Sequence, residues 1–261
     1  MKTLSSGSIG REVTILQTGL NLLPSALAQL AVDGIFGSKT YNRAKEYQDL
    51  ARIIVDGIVG QQTWTTMELI LGLIERIVEQ NRLRDKVVSV ANQEATGLGM
   101  TVHAKMPGTL DASKNKYFRA GYVRLLEYFR KAAPDPKKHG KTLFNEDNIT
   151  YLSKPFQLPP CPHWCGIFAL WAHKEANIQV GTWKLGRGIF SVQGFHPTQN
   201  PRKADIGYVG GKYQHMVLIE RVYLLNNQIM IDTIEGNSEP DSAIKKKQRP
   251  KIQIQGFLSA F

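Results

Sequence analysis

The chain has 261 residues, of which 42% are hydrophobic, and it carries a net charge of +11 at pH 7. This length and composition can support a sizeable core and fit two domains better than one. No apolar run approaches the roughly 20 residues needed to span a bilayer, and the two cysteines are too few for a disulfide framework. The charge favours an anionic partner, namely nucleic acid, anionic lipid or an acidic cell-wall polymer.

An internal repeat organises residues 5–70. The segment VDGIFGSKT, which begins at Val32, recurs 23 residues later as VDGIVGQQT, which begins at Val55. In each copy Asp-Gly supplies a tight turn, the second glycine permits a positive φ, and an apolar residue between the glycines is expected to pack inward. A helical face precedes the first copy, and a helix follows each copy. The pattern predicts three helices joined by two similar turns.

These motifs are typical of a known module. The pattern GxxVxxLQ from Gly10, the two repeat copies and Trp64 resemble the small three-helix peptidoglycan-binding domain attached to many wall hydrolases. The resemblance implies that residues 1–70 form an all-α domain and that peptidoglycan, an anionic cell-wall polymer, is the partner. It does not assign the residues that contact the sugar-peptide polymer.

The middle of the chain reads as a connector. Apolar residues from Leu69 to Val88 recur at helical spacing among Glu and Arg, so residues 71–100 are predicted to be a helical linker. Glycine and proline near residues 97–108 end it. Residues 114–133 form a second amphipathic stretch with an aromatic stripe that is expected to face the core. Residues 134–141 are interpreted as a solvated basic loop.

Cys165 is the first candidate catalytic residue. It follows the proline-stiffened loop PPCPHW, which begins at Pro159, and it opens the apolar, helix-compatible segment CGIFALW. The sequence therefore predicts that Cys165 lies at a helix N-terminus. Free backbone N–H groups and the helix dipole stabilise a thiolate there, which a nucleophilic cysteine requires at neutral pH.

Candidate partners for the thiol lie on two predicted strands. Residues 213–219 are predicted to be a strand with His215, Val217 and Ile219 on one face, and residues 228–237 carry Glu235 and Asn237 on one face. A cysteine, then a histidine, then a polar group that orients it is the order of a thiol acyl-transfer site. Asp232 is predicted to point to the opposite face, which makes it a poor candidate for that third role.

The carboxy-terminal region places a helix before antiparallel strands, which indicates an α+β domain. Four motifs resemble the CHAP and NlpC/P60 cysteine amidases, papain-like folds that cut amide bonds in peptidoglycan: WCGxFxxW from Trp164, ADIG from Ala204, HxVxIE from His215 and EGN from Glu235. The Glu-x-Asn element favours the CHAP branch. The family usually has glycine before its histidine, whereas this chain has Gln214, and the acidic loop that holds calcium in some CHAP enzymes is missing before the cysteine.

The resemblance implies a fold and roles for individual residues. Residues 101–261 would form the papain-like α+β domain, with Cys165 as nucleophile and His215 as base. Glu235 and Asn237 would be the orienting and oxyanion-side groups. The Cys-His mechanism needs no cofactor and no metal.

The same residues allow other interpretations. Cys161, His163 and Cys165 would be a poor zinc site, because zinc favours Cys-x-x-Cys and there is no second pair. A disulfide between the two cysteines, or two inert buried thiols, stays open. The basic run of residues 245–251 is interpreted as a solvated face, since it lacks the interleaved aromatic residues of a nucleic-acid site.

The sequence thus predicts a modular peptidoglycan hydrolase, an endopeptidase or an N-acetylmuramoyl-L-alanine amidase. A non-catalytic wall-binding protein with a dead hydrolase fold, and a thiol acyltransferase or transpeptidase, are the alternatives. The amino terminus lacks the apolar core of a signal peptide. We therefore expect synthesis in the cytoplasm and action in the periplasm or wall after lysis or dedicated secretion, as for a phage lysin or secreted toxin. An immunity or secretion protein is a further partner that the sequence leaves open.

Overall fold

The computed structural model describes residues 1–133, 137–138, 141–142, 145–152, 162–183, 189–210 and 215–261. The chain divides into two compact units, Met1–Gln80 and Asn81–Phe261. The first is helical and the second is built around a β-sheet, so the predicted α+β class is confirmed. Within the described residues, none of the helices combines the length and the apolar character needed to cross a membrane.

The first unit contains α1 (Arg11–Leu22), α2 (Ser38–Leu50) and the beginning of α3 (Gln61–Thr96). Its core is formed by apolar side chains from all three helices and from the turns between them, including Leu16, Leu20, Phe36, Tyr47, Val59 and Trp64. The boundary between the two units falls within α3, and it lies inside the linker predicted for residues 71–100.

Each repeat copy is fastened to a buried glutamine of the preceding helix. Gln48 donates from Nε2 to Asp56 Oδ1 and to the Ile58 carbonyl, both at 3.0 Å, and its Oε1 accepts from the Gly57 N–H at 2.8 Å. Gln17 makes the same set of contacts with the first copy. A buried amide that satisfies backbone groups fixes each turn, because those groups would otherwise be unpaired.

The two apolar residues between the glycines of each copy have opposite environments. Phe36 and Val59 are buried in the core, whereas Ile35 and Ile58 are about half exposed. The inward-packing residue of each copy is therefore the second of the two.

The second unit contains the end of α3, the helices α4 (Tyr122–Ala132), α5 (Glu146–Thr150) and α6 (Cys165–Glu175), and three short 3-10 turns, Leu98–Thr101, Ile189–Ser191 and Lys251–Gln253. Its strands are β1 (His103–Asp111), β2 (Lys116–Ala120), β3 (Lys137–Lys138), β4 (Lys141–Thr142), β5 (Tyr151–Leu152), β6 (His196–Thr198), β7 (Ile206–Val209), β8 (His215–Leu225), β9 (Gln228–Ser238), β10 (Ala243–Pro250) and β11 (Gly256–Ser259). Among the described residues, nine of these strands form one antiparallel sheet in the order β5-β2-β1-β10-β9-β8-β7-β11-β6, and β3 pairs with β4.

The amphipathic stretch predicted for residues 114–133 is divided between a strand and a helix. Strand β2 ends at Ala120 and α4 begins at Tyr122, and Gly121 between them has φ 69°. A Cβ at this glycine would lie 2.4 Å from the Thr101 carbonyl oxygen, so the change of direction requires glycine. The expected core-facing side is confirmed for the helix, where Leu125 and Phe129 are buried.

The centre of the sheet sets the geometry on which the site depends. Strands β8 and β9 form a hairpin through Asn226 and Asn227, which both have positive φ, as a type I′ turn requires. On one face, Met216, Leu218 and Ile234 join the core against α4 and α6. Helix α6 is buried on every side from Cys165 to His173, which explains why its sequence is apolar throughout.

Candidate active site

Cys165 is the first residue of α6, as predicted, and it is a buried free cysteine. The preceding Trp164 is fully buried and packs against Tyr128 and Phe168, which fixes the backbone at the helix start. The thiol therefore lies beside the unpaired N–H groups of the first helical turn. Cys161, Pro159, Pro160 and Gln214 lie outside the described residues, as does most of the predicted basic loop.

His215, the first residue of β8, bridges the thiol and a carboxylate. Its Nε2 lies 2.9 Å from Glu235 Oε2, and its ring lines the same cavity as Cys165, close enough for the thiol to affect the pKa of the imidazole. Burial acts to lower the pKa of His215, but the hydrogen bonds with Cys165 and Glu235 and their negative charges outweigh it and raise the pKa to about 9. The site thus favours an imidazolium facing the sulfur.

Glu235 on β9 has no solvent exposure and is surrounded by donors. Arg249 binds it through two nitrogens, Nε to Oε1 at 2.6 Å and Nη2 to Oε2 at 2.9 Å. The hydroxyls of Thr233 and Ser238 donate to it at 2.6 and 3.2 Å. Burial opposes ionisation, yet hydrogen bonds from His215, Arg249 and Thr233 hold the pKa of this carboxyl well below its usual range. Glu235 is a fixed negative charge behind the imidazole.

Two basic residues of β10 complete the site, and sequence reasoning missed them. Lys247 Nζ lies 3.4 Å from Glu235 Oε2, and Arg249 is mostly buried. The interpretation of residues 245–251 as a solvated face is wrong for Arg249, whereas Lys247 is partly exposed and faces the cavity. A signal was present, because Lys245, Lys247 and Arg249 occupy every second position and would share one face of the sheet if this run were a strand.

Asn237 lines the cavity with Cys165 and His215, but its backbone departs from the strand pattern. Its φ of 57° departs from extended backbone, so the alternation of faces stops before it. Its Nδ2 lies 3.4 Å from His163 Nδ1, and its Oδ1 accepts from the Ser242 hydroxyl, which in turn accepts from the Trp164 indole N–H at 3.0 Å. Among the described residues, Asn237 therefore contacts His163 and Ser242 rather than His215.

Asp232, the candidate that the strand period argued against, is separate from the site. Arg221 binds it through Nη2 at 2.7 Å, and the Tyr223 hydroxyl donates to it at 3.1 Å. The structure thus brings Cys165, His215 and Glu235 together and leaves Asp232 apart.

A cavity of about 410 Å³ opens over the thiol and the imidazole. It is lined by His163, Cys165, His215, Asn237, Ser238, Glu239 and Lys247. Across the described part of the chain, no group of three His, Cys, Asp or Glu side chains is placed to hold a metal ion. The arrangement can transfer an acyl group through a thiol: a nucleophile, a histidine that exchanges its proton, and a carboxylate that orients the histidine.

Comparison with known proteins identifies the first unit. Residues 10–67 match the family described as putative peptidoglycan binding domain. The helical unit thus carries a putative peptidoglycan-binding domain, as the resemblance of its motifs implied. None of the curated proteins matches the chain. Among solved structures, the crystal structure of Burkholderia AP3 phage endolysin is similar over 48% of this chain and 48% of its own, with 23% identity and a TM-score of 0.24. The match spans about half of the endolysin chain.

Proposed function

We propose that the protein is a peptidoglycan hydrolase of the cysteine amidase type. Its helical unit would bind the wall, and its sheet unit would cleave an amide bond in or at the stem peptide. The observation that carries the proposal is the buried, free Cys165 at a helix start, which lines one cavity with a His215 whose Nε2 is held by Glu235. The resemblance to CHAP and NlpC/P60 amidases supports the same assignment.

The mechanism follows from the positions of these groups. His215 holds the proton of Cys165, and the thiolate attacks the amide carbonyl to form a tetrahedral intermediate. Backbone N–H groups at the start of α6 stabilise its oxyanion. The imidazolium then gives its proton to the leaving amine, and a water activated by the same imidazole hydrolyses the thioester.

Glu235 and Asn237 have different parts in this scheme. Since Glu235 holds Nε2, it directs Nδ1 toward the sulfur and stabilises the imidazolium that each half-reaction passes through. Asn237 shapes the cavity wall through His163 and Ser242. In this proposal its contribution is to substrate placement beside the thiol.

Wall binding by the first unit raises the local concentration of an insoluble substrate. Linking a binding module to a catalytic one makes the encounter intramolecular, which increases the effective concentration without changing the chemistry. The net charge of +11 adds attraction to an acidic polymer. The unit should therefore matter for sacculi and hardly at all for small soluble fragments.

Replacement of the thiol tests the proposal. Cys165→Ser should abolish the release of soluble fragments from purified sacculi while leaving sacculus binding intact, because loss of the nucleophile costs several orders of magnitude in rate. Cys161→Ser is the matched control and should retain hydrolysis. Lysis by Cys165→Ser within tenfold of the unmodified protein would refute the nucleophile assignment.

The products separate the alternatives. Mass analysis after hydrolysis should show fragments carrying a new carboxylate, whereas a transpeptidase would give fragments joined to an added amine. A dead hydrolase fold would bind sacculi and release nothing. An intact contact between thiol, imidazole and carboxylate argues against that third outcome.

A further inference from the structure

Lys247 is the most weakly held of the groups around Glu235. Its Nζ lies 3.4 Å from Oε2, an oxygen that His215 Nε2 and Arg249 Nη2 already approach at 2.9 Å. A carboxylate offers about four lone-pair sites, and Glu235 receives five shorter contacts from His215, Arg249, Thr233 and Ser238. Glu235 therefore does not need the lysine to satisfy it.

Among the described residues around the cavity, the positive charge of Lys247 has no remaining negative charge to balance it. Arg249 compensates Glu235, and the Cys165–His215 pair is neutral overall whether or not the proton has moved to the imidazole. Glu239, the acidic residue at the cavity wall, is paired with Lys105. Among the described residues that line the cavity, Lys247 thus carries the positive charge that no acidic neighbour compensates, on a side chain that is 36% exposed.

We propose that Lys247 binds a carboxylate of the substrate, so that the enzyme prefers amide bonds that lie beside a free carboxylate over those that lie beside a carboxamide. This inference rests on the proposed function and specifies its substrate class. The Lys247 ammonium lines the cavity with the thiol. It can therefore turn from Glu235, which already has enough hydrogen-bond donors, toward a substrate anion at little cost in free energy. Arg249 cannot turn away in the same manner, because its Nε and Nη2 both donate to Glu235.

Alkylation of Cys165 tests the charge without requiring turnover. Iodoacetate is anionic and iodoacetamide is neutral, so the ratio of their rates at Cys165, followed by peptide mass mapping, reports the potential above the thiol. We expect Lys247→Gln to lower the iodoacetate-to-iodoacetamide ratio about five- to tenfold, which is the range of one partly solvated charge-assisted contact. Lys247→Arg should preserve the ratio.

A neighbouring lysine provides the matched control. Lys246 pairs with Glu220 and does not line the cavity, so Lys246→Gln should leave the ratio unchanged. An equal ratio in Lys247→Gln and the unmodified protein would overturn the inference, and so would an equal fall in Lys246→Gln.

Substrate pairs give the second measurement. Two peptides that differ only by a free carboxylate or a carboxamide beside the scissile bond should differ about tenfold in kcat/KM, mainly through KM, and Lys247→Gln should remove the difference. If neither peptide is hydrolysed, the proposed function fails, while the alkylation ratio still decides the role of the lysine. Equal hydrolysis of both peptides by the unmodified protein would overturn the substrate preference.

Discussion

Substitution of Glu235 by glutamine tests the core of the proposed site. The pKa of His215 is raised from 6.5 to about 9, which corresponds to about 3 kcal/mol in favour of the imidazolium. Burial works against this preference, so Cys165 and Glu235 together supply more than the net value. Glu235→Gln keeps the shape of the side chain and removes its charge.

The surroundings of Glu235 decide how glutamine would orient. Arg249 can only donate hydrogen bonds, so the glutamine oxygen should turn toward Arg249 and its NH₂ group toward His215. An NH₂ group facing Nε2 forces that nitrogen to accept and moves the imidazole proton to the side of the thiol. We expect kcat/KM to fall about a hundredfold or more, because the tautomer is wrong for accepting the Cys165 proton.

The pH dependence supplies an independent measurement. Glu235 raises the pKa of His215, so its loss should move the alkaline limb of the kcat/KM profile from about 9 to lower pH. The rate of Cys165 alkylation against pH should show the same displacement. Asp232→Asn is an equivalent change on the same strand, and it should alter neither profile.

Stability must be followed alongside activity. Loss of the carboxylate leaves Arg249 with an uncompensated, mostly buried charge, which costs about 3 kcal/mol of unfolding free energy. Measurements should therefore be made well below the melting temperature of the variant. A folded Glu235→Gln protein with kcat/KM within tenfold of the unmodified protein and an unchanged alkaline limb would refute the assignment. So would a damaging Asp232→Asn.

Two further predictions concern stability. Gln48→Leu should lower the unfolding free energy of the helical unit by about 2 to 4 kcal/mol, because it leaves the Gly57 N–H and the Ile58 carbonyl without their amide partner. Thermal unfolding measures this loss, and Gln62→Leu, at an exposed position, is the control. Equal losses of unfolding free energy in both variants would contradict the prediction. Because the pKa of His215 is raised when the protein folds, its contribution to stability should be complete below pH 6.5 and lost as pH rises through about 9. Denaturant titrations across this range should show a decline in unfolding free energy that the His215→Gln variant lacks. An equal decline in both proteins would contradict the assignment.

The parts of the site that the sequence predicts correctly depend on local pattern. A proline-rich loop before a continuous apolar segment was enough to locate the helix start at Cys165, because helix ends follow from nearby residues. The alternation of β9 put Glu235 and Asp232 on opposite faces, and their contacts with His215 and Arg221 agree. The catalytic roles of these residues stay predictions.

The parts that the sequence misses depend on backbone conformation and strand pairing. The positive φ of Asn237 interrupts the alternation of strand faces, which the amino-acid sequence alone would continue. Lys247 and Arg249 reach Glu235 because β10 pairs with β9, with Lys245 opposite Glu235 and a register shift toward Ala243. A register between two strands is not encoded in either one separately. The division of residues 114–133 at Gly121 was likewise invisible to a helical period that continues across it.

The hydrogen bonds that run from Trp164 to His163 have a fixed direction. An indole N–H can only donate, so the Ser242 hydroxyl accepts from Trp164 and donates its own proton to Asn237 Oδ1. The Asn237 amide is thereby held with its NH₂ group toward His163 Nδ1. One tryptophan, adjacent to Cys165 in the chain, thus determines the polarity of a cavity wall through three intervening hydrogen bonds. Substitution of Trp164 by phenylalanine would preserve the packing and remove the indole N–H, so that these hydrogen bonds could run in either direction.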